Sequence, residues 1–238
     1  MKKEVSRTSY TVPGMYTVND AAEMLGVSNP RVLQLIYAAE LTAQRTVGDA
    51  YLIHAESLQS YQRIRQGNGR PWKADVAWAA LWMLSDMEIG WLAYPQHRRL
   101  LQRLKRVNAD NLVWLTRRRA SVKRVRVSTS LFNNLKEEMV LSGASSEFIR
   151  TLGLTQRNDI IEGYVAVNTI NKIKEKYHFV EENNTNAILH LVDESCFKIA
   201  DREQMPEAVA LVDLAASADT RERRAALSRL EELLHEKG

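Results

Sequence analysis

The sequence predicts an α+β protein that is predominantly helical. Two observations predict this class. Apolar residues recur at three- and four-residue spacing in several stretches, and a few short segments alternate between apolar and polar residues. Gly, Asn and Pro interrupt these patterns where turns are needed. We expect a small helical domain with a two-stranded hairpin near the N-terminus, followed by a mixed α/β domain.

The first predicted helix follows Thr17. Apolar residues between Val18 and Leu25 recur at the spacing of one buried helical stripe. The Thr17 side chain can accept a hydrogen bond from an amide of the first turn, and Asp20 lies near the positive end of the helix dipole. Gly26 is expected to end the helix, because Gly tolerates the left-handed conformation there.

The second predicted helix starts two residues later. Ser28 or Asn29 can cap it, and Pro30 fits its first turn, where a missing N–H costs nothing. Asn29, Arg31 and Gln34 are expected to point outward. The expected apolar face consists of Val32, Leu35 and Ile36.

Two short helices joined by a Gly-containing turn form a helix-turn-helix, whose second helix can present its N-terminal residues to the DNA major groove. Asn and Gln amides can pair with adenine, and Arg can pair with guanine. An ordinary helical hairpin whose polar face meets only water is the alternative. The residues that follow predict a strand, a turn over 47–50, a second strand over 51–53 and a closing helix, which together describe a winged helix-turn-helix.

Residues 15–65 resemble the excisionase and MerR-like DNA-binding domain. The resemblance rests on the run Ala-Ala-Glu-Met-Leu-Gly-Val-Ser at 21–28, on Val-Gly at 47–48 and on Tyr-Leu-Ile at 51–53. Two residues depart from the pattern, since Asp49 lies near the wing tip and Leu33 lies where relatives often carry a polar residue. The candidate DNA contacts are Thr17, Ser28, Asn29, Arg31, Gln34, Tyr37, Arg45 and Arg70.

Gly, Asn and Pro interrupt the helical periodicity after this domain and predict a linker. Arg70 could alternatively enter an A·T-rich minor groove, as the tripeptide Gly-Arg-Pro does in minor-groove hooks. The predicted organisation is an N-terminal arm over 1–14, the winged helix-turn-helix over 15–66, the linker over 67–72 and a C-terminal α+β domain over 73–238.

The basic excess of the chain is concentrated in residues 73–127. Such segments can bind the phosphate backbone without reading sequence, can dock an acidic protein, or can be solvated faces only. The candidate contacts to phosphate or to a partner are Arg98, Arg99, Arg103, Arg117, Arg118, Arg119, Lys123, Arg124 and Arg126.

The second half of the chain resembles the C-terminal part of AbiEi-type antitoxins, which belong to type IV toxin–antitoxin systems, and of actinobacterial helix-turn-helix proteins. The matching pieces are Leu-Ser-Gly-Ala-Ser-Ser at 141–146, Leu-Gly-Leu at 152–154, Pro-Glu-Ala-Val at 206–209 and Asp-Leu at 213–214. The resemblance implies a protein that represses its own operon and counteracts a nucleotidyltransferase-like toxin. Two strands are expected around a polar turn at 183–186, with His178 facing His190.

We expect no catalytic activity, no cofactor and no metal site. Ser142-Gly143 is followed by no pair of carboxylates suited to Mg²⁺, and Asp159 stands alone. The five histidines lack metal-ligand spacing, and His178 with His190 is interpreted as a pair of surface or core imidazoles. One cysteine, Cys196, forms no internal disulfide and fits a reducing compartment.

The sequence therefore predicts a cytoplasmic, sequence-specific DNA-binding regulator, with an autorepressing antitoxin as the leading interpretation. Its expected partners are double-stranded DNA of its own promoter and a cognate toxin. No secretory signal and no membrane partner are expected, and the oligomeric state is left open. Two alternatives are an excisionase-like factor that bends DNA and an interaction adaptor that does not bind DNA.

Overall fold

The computed structural model describes residues 14–38, 40–64, 69–180, 185–193 and 204–237. The expected N-terminal arm up to residue 13, the first part of the predicted linker and Cys196 lie outside these ranges. The chain separates into two compact units, residues 1–58 and 59–238. The boundary falls inside a helix and upstream of the predicted linker.

The first unit has the predicted helix, turn, helix and hairpin, together with one additional strand. Strand β1 (Met15–Thr17) pairs with the hairpin and was not expected from the sequence. It completes a three-stranded antiparallel sheet in the order β1-β3-β2. The other elements are α1 (Val18–Leu25), α2 (Asn29–Tyr37), β2 (Ala43–Arg45), β3 (Tyr51–His54) and α3 (Ala55–Ile64).

The core of the first unit comes from the residues with helical spacing. Ala21, Val32, Ile53 and Leu58 are fully buried, and Leu35 is almost fully buried. Small side chains on α1 let α2 approach closely, so the two short helices, which would be marginal alone, are stabilised by packing. The sequence pattern thus predicts the helices and the hairpin of this unit.

The second unit is an α+β domain built on a four-stranded mixed sheet. Its sheet order is β4-β7-β6-β5, in which only the central β6–β7 pair is parallel. In chain order its elements are α4 (Ala74–Leu84), α5 (Tyr94–Leu104), α6 (Ala109–Thr116), β4 (Ser121–Val125), α7 (Phe132–Lys136), β5 (Val140–Leu141), α8 (Phe148–Thr151), β6 (Ile161–Ala166), α9 (Ile170–Tyr177), β7 (Ala187–Val192), α10 (Glu207–Leu214) and α11 (Thr220–Glu236).

The two faces of this sheet carry different side chains, because successive residues of a strand point to opposite faces. One face is apolar and includes Ile161 and Val165 of β6 and Leu189 of β7, in one cluster with residues of α7 and α9. The alternate residues of the same strands include Glu162 and His190, which are also buried. The second face therefore buries polar groups in the interior.

Of the two strands expected around residues 183–186, the second is present as β7, but the expected hairpin pairing is wrong. His178 caps the C-terminus of α9 in a left-handed conformation and is exposed, whereas His190 lies in the middle of β7. The hydrogen-bonded neighbours of β7 are β4 and β6, which are distant in sequence. Strand order depends on such long-range pairing, which alternation alone does not specify.

The remaining helices agree with the spacing of their sequences. Two helices, α10 and α11, lie near the C-terminus, with Asp219 as the N-cap of α11. The chain is an α+β protein, about half helical, as the sequence predicts. Within the described residues, none of the helices combines the length and apolar character needed to traverse a bilayer.

Candidate nucleic-acid interface

Local interactions define the ends of α1 and the start of α2. The Thr17 hydroxyl accepts a hydrogen bond from the Asp20 amide, and the Asp20 carboxylate accepts one from the Thr17 amide at 3.0 Å. Gly26 ends α1 with φ of 60°. Ser28 is the N-cap of α2, although its side chain makes no capping hydrogen bond. The half-buried Thr17 thus positions α1, and Ser28 is exposed.

The outer face of α2 carries the predicted base-reading side chains. Asn29, Arg31 and Gln34 are exposed, whereas Val32 and Leu35 on the opposite face are buried. The helix therefore places two amides and one guanidinium toward solvent within its first two turns. These are the groups that form bidentate hydrogen bonds with adenine and guanine in a major groove.

These polar side chains contact one another and α1. The Arg31 guanidinium donates to the Gln34 amide oxygen at 3.1 Å, and the Asn29 amide donates to the Asn19 side-chain oxygen. All of these contacts are exposed, so water already competes for them and a base edge could replace them at small cost.

Tyr37, the last residue of α2, packs against Tyr51, the first residue of β3. Tyr37 is 71% exposed, and its ring packs edge to face with Tyr51, with centroids 6.1 Å apart. A hydrogen bond with Tyr37 raises the pKa of Tyr51. The Tyr51 hydroxyl therefore stays protonated at neutral pH, and the exposed Tyr37 hydroxyl is accessible to a phosphate oxygen.

The wing carries one cation and one anion close together. Arg45 Nε lies 3.1 Å from Asp49 Oδ1, and both side chains are largely exposed. Asp49 has φ of 61° in the turn that joins β2 and β3, while Val47 at the tip is fully exposed. The Asp49 carboxylate would repel a phosphate near the wing tip. The ion pair between Arg45 and Asp49 must therefore break before Arg45 can pair with a phosphate.

Arg70 is exposed, but the residues around it are anchored to α6. The Trp114 indole donates to the Gly69 carbonyl at 2.6 Å, and the Trp72 amide donates to the Leu115 carbonyl at 2.8 Å. The Trp72 side chain is itself buried. Residues 69–72 are therefore part of the second unit, in contrast to the simple linker expected from composition.

The predicted basic residues of the second unit have different surroundings. Arg98, Arg99, Arg103, Arg118 and Arg126 are exposed, and Lys123 and Arg124 are half-buried. The Arg117 guanidinium carbon lies 3.4 Å from the centroid of the Trp114 ring. The arginine-rich sequence thus does not form a single exposed surface.

Arg119 was expected to contact phosphate or a partner, and this prediction is wrong. Its side chain is 8% exposed and forms an ion pair with the carboxylate of Asp213, which is fully buried. The Arg119 guanidinium also donates to the Tyr164 hydroxyl at 2.8 Å. The charge of Asp213 helps to raise the pKa of Arg119 above its ordinary value despite burial. A phosphate cannot reach the Arg119 guanidinium unless this part of the second unit unfolds.

Asp213 is the centre of a buried polar cluster on the second face of the sheet. Its carboxylate accepts hydrogen bonds from Arg119, from the Tyr164 hydroxyl at 3.0 Å and from the Ser142 hydroxyl. Burial raises the pKa of Tyr164 well above its ordinary value, so its hydroxyl remains a donor. The members of the polar cluster are Arg119, Ser142, Glu162, Tyr164, His190 and Asp213.

Glu162 and His190 form the other half of the polar cluster. His190 Nε2 lies 2.9 Å from Glu162 Oε1, and the Ala144 amide donates to Glu162 Oε2 at 3.1 Å. The His190 ring stacks on Tyr164, its neighbour across the parallel strands, with centroids 4.6 Å apart. Within the described residues, His190 Nδ1 has no hydrogen-bond partner.

Three members of the polar cluster could in principle ligate a cation. Glu162, His190 and Asp213 offer ligand atoms that all lie within 4.8 Å of one another. However, the oxygens of Asp213 already accept from three donors, and one of these is the Arg119 cation. A divalent ion beside Asp213 would be repelled by that guanidinium. The donor set therefore suits an internal charge network better than a metal centre.

Sequence reasoning missed the polar cluster, although a signal was present. Glu162 and His190 each interrupt an apolar strand, and Asp213 interrupts an apolar helix. A single charge inside an otherwise buried element needs a partner, because an unpaired buried charge is very costly. Three such interruptions in one domain indicate that the groups meet in the fold.

The comparison with protein families supports the assignment of the first unit. Residues 15–65 match the family model described as a helix-turn-helix domain. These residues coincide with β1 through the predicted wing and α3. Neither the curated proteins nor the solved structures contain a match to the chain. The chain thus carries an N-terminal helix-turn-helix domain, which makes DNA a plausible partner.

Proposed function

We propose that this protein is a sequence-specific DNA-binding regulator of its own operon. The observation that carries the proposal is the outer face of α2, where Asn29, Arg31 and Gln34 are exposed above a buried apolar face. A helix with this arrangement in a helix-turn-helix can read base edges in the major groove. Tyr37, Arg45 and Ser28 flank it as candidate backbone contacts.

The finer proposal is that the regulator is the antitoxin of a toxin–antitoxin pair and acts in the cytoplasm without catalytic activity. It is supported by the short motifs at 141–146, 152–154, 206–209 and 213–214 that resemble AbiEi-type antitoxins. In the fold these motifs lie at the end of β5 and just after it, directly after α8, and in α10, so they are structural in character. The second unit would then bind the nucleotidyltransferase-like toxin.

The first experiment measures binding of the full chain to a labelled duplex from the region upstream of its own gene. A scrambled duplex of the same length and composition serves as competitor, over a range of salt concentrations. Tight binding that resists the competitor supports the regulator. Binding that ignores sequence contradicts it, because α2 would then make no base contacts.

Arg31→Ala tests the assigned residue. We expect a loss of about 1–3 kcal/mol in binding to the native duplex and weaker discrimination against the scrambled one, if Arg31 pairs with a guanine. Arg31→Lys is the matched control, because it keeps the charge but loses the bidentate fork. It should bind the scrambled duplex like the wild type and discriminate poorly. Unchanged discrimination in Arg31→Ala would remove Arg31 from the base-reading set.

An interaction adaptor that does not bind DNA is the second candidate function. The pairing of Arg45 with Asp49 favours it, because the wing then offers little net positive charge to a phosphate. Asp49→Asn separates the two candidates. Stronger DNA binding in this variant supports the regulator, and the absence of DNA binding in both wild type and variant supports the adaptor.

A further inference from the structure

Helix α5 has an arginine-rich outer face and a leucine-rich inner face. Arg98, Arg99 and Arg103 are exposed, whereas Leu100 and Leu104 are each 2% exposed. At 100° per residue the three arginines fall within one side of the helix, opposite the leucines. The inner face packs in the second unit, where α5 contacts α4. The outer face is left to solvent.

The arginines of this face lack carboxylate partners. Across the ranges that the structure describes, Arg98, Arg99, Arg103 and the following Arg106 form no ion pair. Other surface arginines of the same unit do form them. Arg229 pairs with Glu207, Glu232 and Glu236, Arg223 pairs with Asp110, and Arg157 pairs with Asp159. The positive charge of α5 is therefore uncompensated locally.

The composition of the outer face favours phosphate over a protein surface as its partner. Tyr94, at the N-terminal end of α5, is the one large hydrophobic residue of the helix that is exposed. Stable protein–protein interfaces usually bury a core of apolar or aromatic anchors. Protein–DNA interfaces are more polar and much more positively charged. Planar guanidinium groups also match the oxygens of phosphate in a bidentate manner.

The length of the basic face suits a row of phosphates. From Arg98 to Arg103 the helix advances by roughly 7–8 Å at a helical rise of about 1.5 Å per residue, and Arg106 follows in the turn after the helix. One DNA strand advances by about 3.4 Å per phosphate, so the helical part of the face spans about two phosphates and Arg106 extends it. Exposed arginines on flexible stems can adjust to that spacing without movement of the backbone.

We infer that the α5 face, defined as Arg98, Arg99, Arg103 and Arg106, is a second, sequence-independent contact to the phosphate backbone of double-stranded DNA. The inference rests on the proposed DNA-binding function of the first unit, since that unit would bring DNA to the same chain. The α5 face would contribute affinity and salt dependence, and α2 would contribute discrimination.

The test compares two full-length variants with the same change in charge. The triple variant Arg98→Gln, Arg99→Gln, Arg103→Gln neutralises the α5 face. The matched control Lys172→Gln, Lys174→Gln, Arg224→Gln removes three exposed cations elsewhere in the second unit. Fluorescence anisotropy measures the affinity for a scrambled duplex at several salt concentrations. Circular dichroism checks that both variants keep the helical content of the wild type.

Each lost phosphate contact should reduce the slope of log affinity against log salt by about 0.9. We therefore expect the slope of the triple variant to fall by about 2–3, with binding at least tenfold weaker at low salt. The control should keep nearly the wild-type slope. A third variant with Lys at all three positions should retain most of the slope, because the charge is preserved.

Equal slopes in the triple variant and the wild type overturn the inference. An acidic protein would then be the expected partner of the α5 face. An equal loss in the control also overturns it, because net charge alone would then explain the effect. Failure of the proposed function has a different signature. In that case the wild type binds native and scrambled duplexes equally, while the slope difference between the triple variant and the control persists.

Discussion

Arg31 and Arg119 show how one type of side chain can have opposite roles in the two units. Arg31 is exposed on α2 and donates to an exposed neighbour, Gln34. Arg119 is buried, pairs with Asp213 and donates to Tyr164. The exposed guanidinium can exchange its partner for a ligand at small cost. The buried one is committed to the fold, because removing its partner leaves an uncompensated charge.

The difference shows that clustering of charge in a sequence does not by itself indicate an interface. Arg117, Arg118 and Arg119 are consecutive, yet the first stacks on Trp114, the second is exposed and the third is buried. At the end of a helix, consecutive residues point in different directions. Their burial then depends on which elements pack against each direction.

The largest expected effect is on Asp213. Asp213→Ala should reduce the free energy of unfolding by about 3–5 kcal/mol, because the Arg119 guanidinium would stay buried without its anion. Chemical denaturation followed by tryptophan fluorescence measures it, since all five tryptophans lie in the second unit. Arg31→Ala should change the free energy of unfolding of the first unit by less than about 0.5 kcal/mol, as measured by hydrogen exchange of its amides.

A double variant sharpens this comparison. Replacing both charges, as in Arg119→Met with Asp213→Leu, should recover part of the stability lost in Asp213→Ala, because no unpaired charge is left inside. If the double variant is less stable than Asp213→Ala alone, the ion pair is not the reason for the loss.

An intermediate effect is expected at the glycines of the two units. Gly143 has φ of 51°, and a Cβ there would overlap with Glu162 Oε2, whereas Gly26 has φ of 60° and open space around its Cβ position. Gly26→Ala should cost about 1–2 kcal/mol from backbone strain alone. Gly143→Ala should cost more, because the Glu162 carboxylate must also leave the Ala144 amide. Thermal unfolding measures both, and equal costs would contradict the close contact at Gly143.

The smallest effect is expected at the caps of the helix-turn-helix. Thr17→Ala should lower the stability of the first unit by about 1 kcal/mol, because its hydroxyl accepts from the Asp20 amide. Ser28→Ala is the matched control, because Ser28 makes no side-chain capping bond and should cost less. Hydrogen exchange of the amides of α1 and α2 measures the difference. A larger loss of stability in Ser28→Ala than in Thr17→Ala would contradict the expected ranking of the two caps.

The helix-turn-helix was predictable in detail because its determinants are local. Thr17, Gly26 and Pro30 define helix ends through capping and backbone conformation, and these depend on neighbours within a few residues. Alternation and the turn at 47–50 defined the hairpin in the same way. Strand β1 was missed, because three residues carry too little pattern to be recognised without their partner.

The charges that interrupt apolar elements were a signal of buried polar groups, but which of these groups pair with one another could not be predicted, because the pairing depends on contacts across long sequence separations. Arg119, Glu162 and Asp213 come from a loop, a strand and a helix, and each looks locally like an isolated charge. The strand order β4-β7-β6-β5 brings His190 beside Tyr164, and α10 adds Asp213. Local pattern does not specify which of these charges becomes the partner of which.

By itself, the sequence determined the α+β class, the helix-turn-helix and the polar outer face of α2, because spacing and capping act within one or two turns of chain. The tertiary structure decided which arginines are exposed, that His190 belongs to a buried network, and that residues 69–72 are anchored to α6. Those outcomes depend on burial, and burial is a property of the packed whole in which distant residues exclude water from one another.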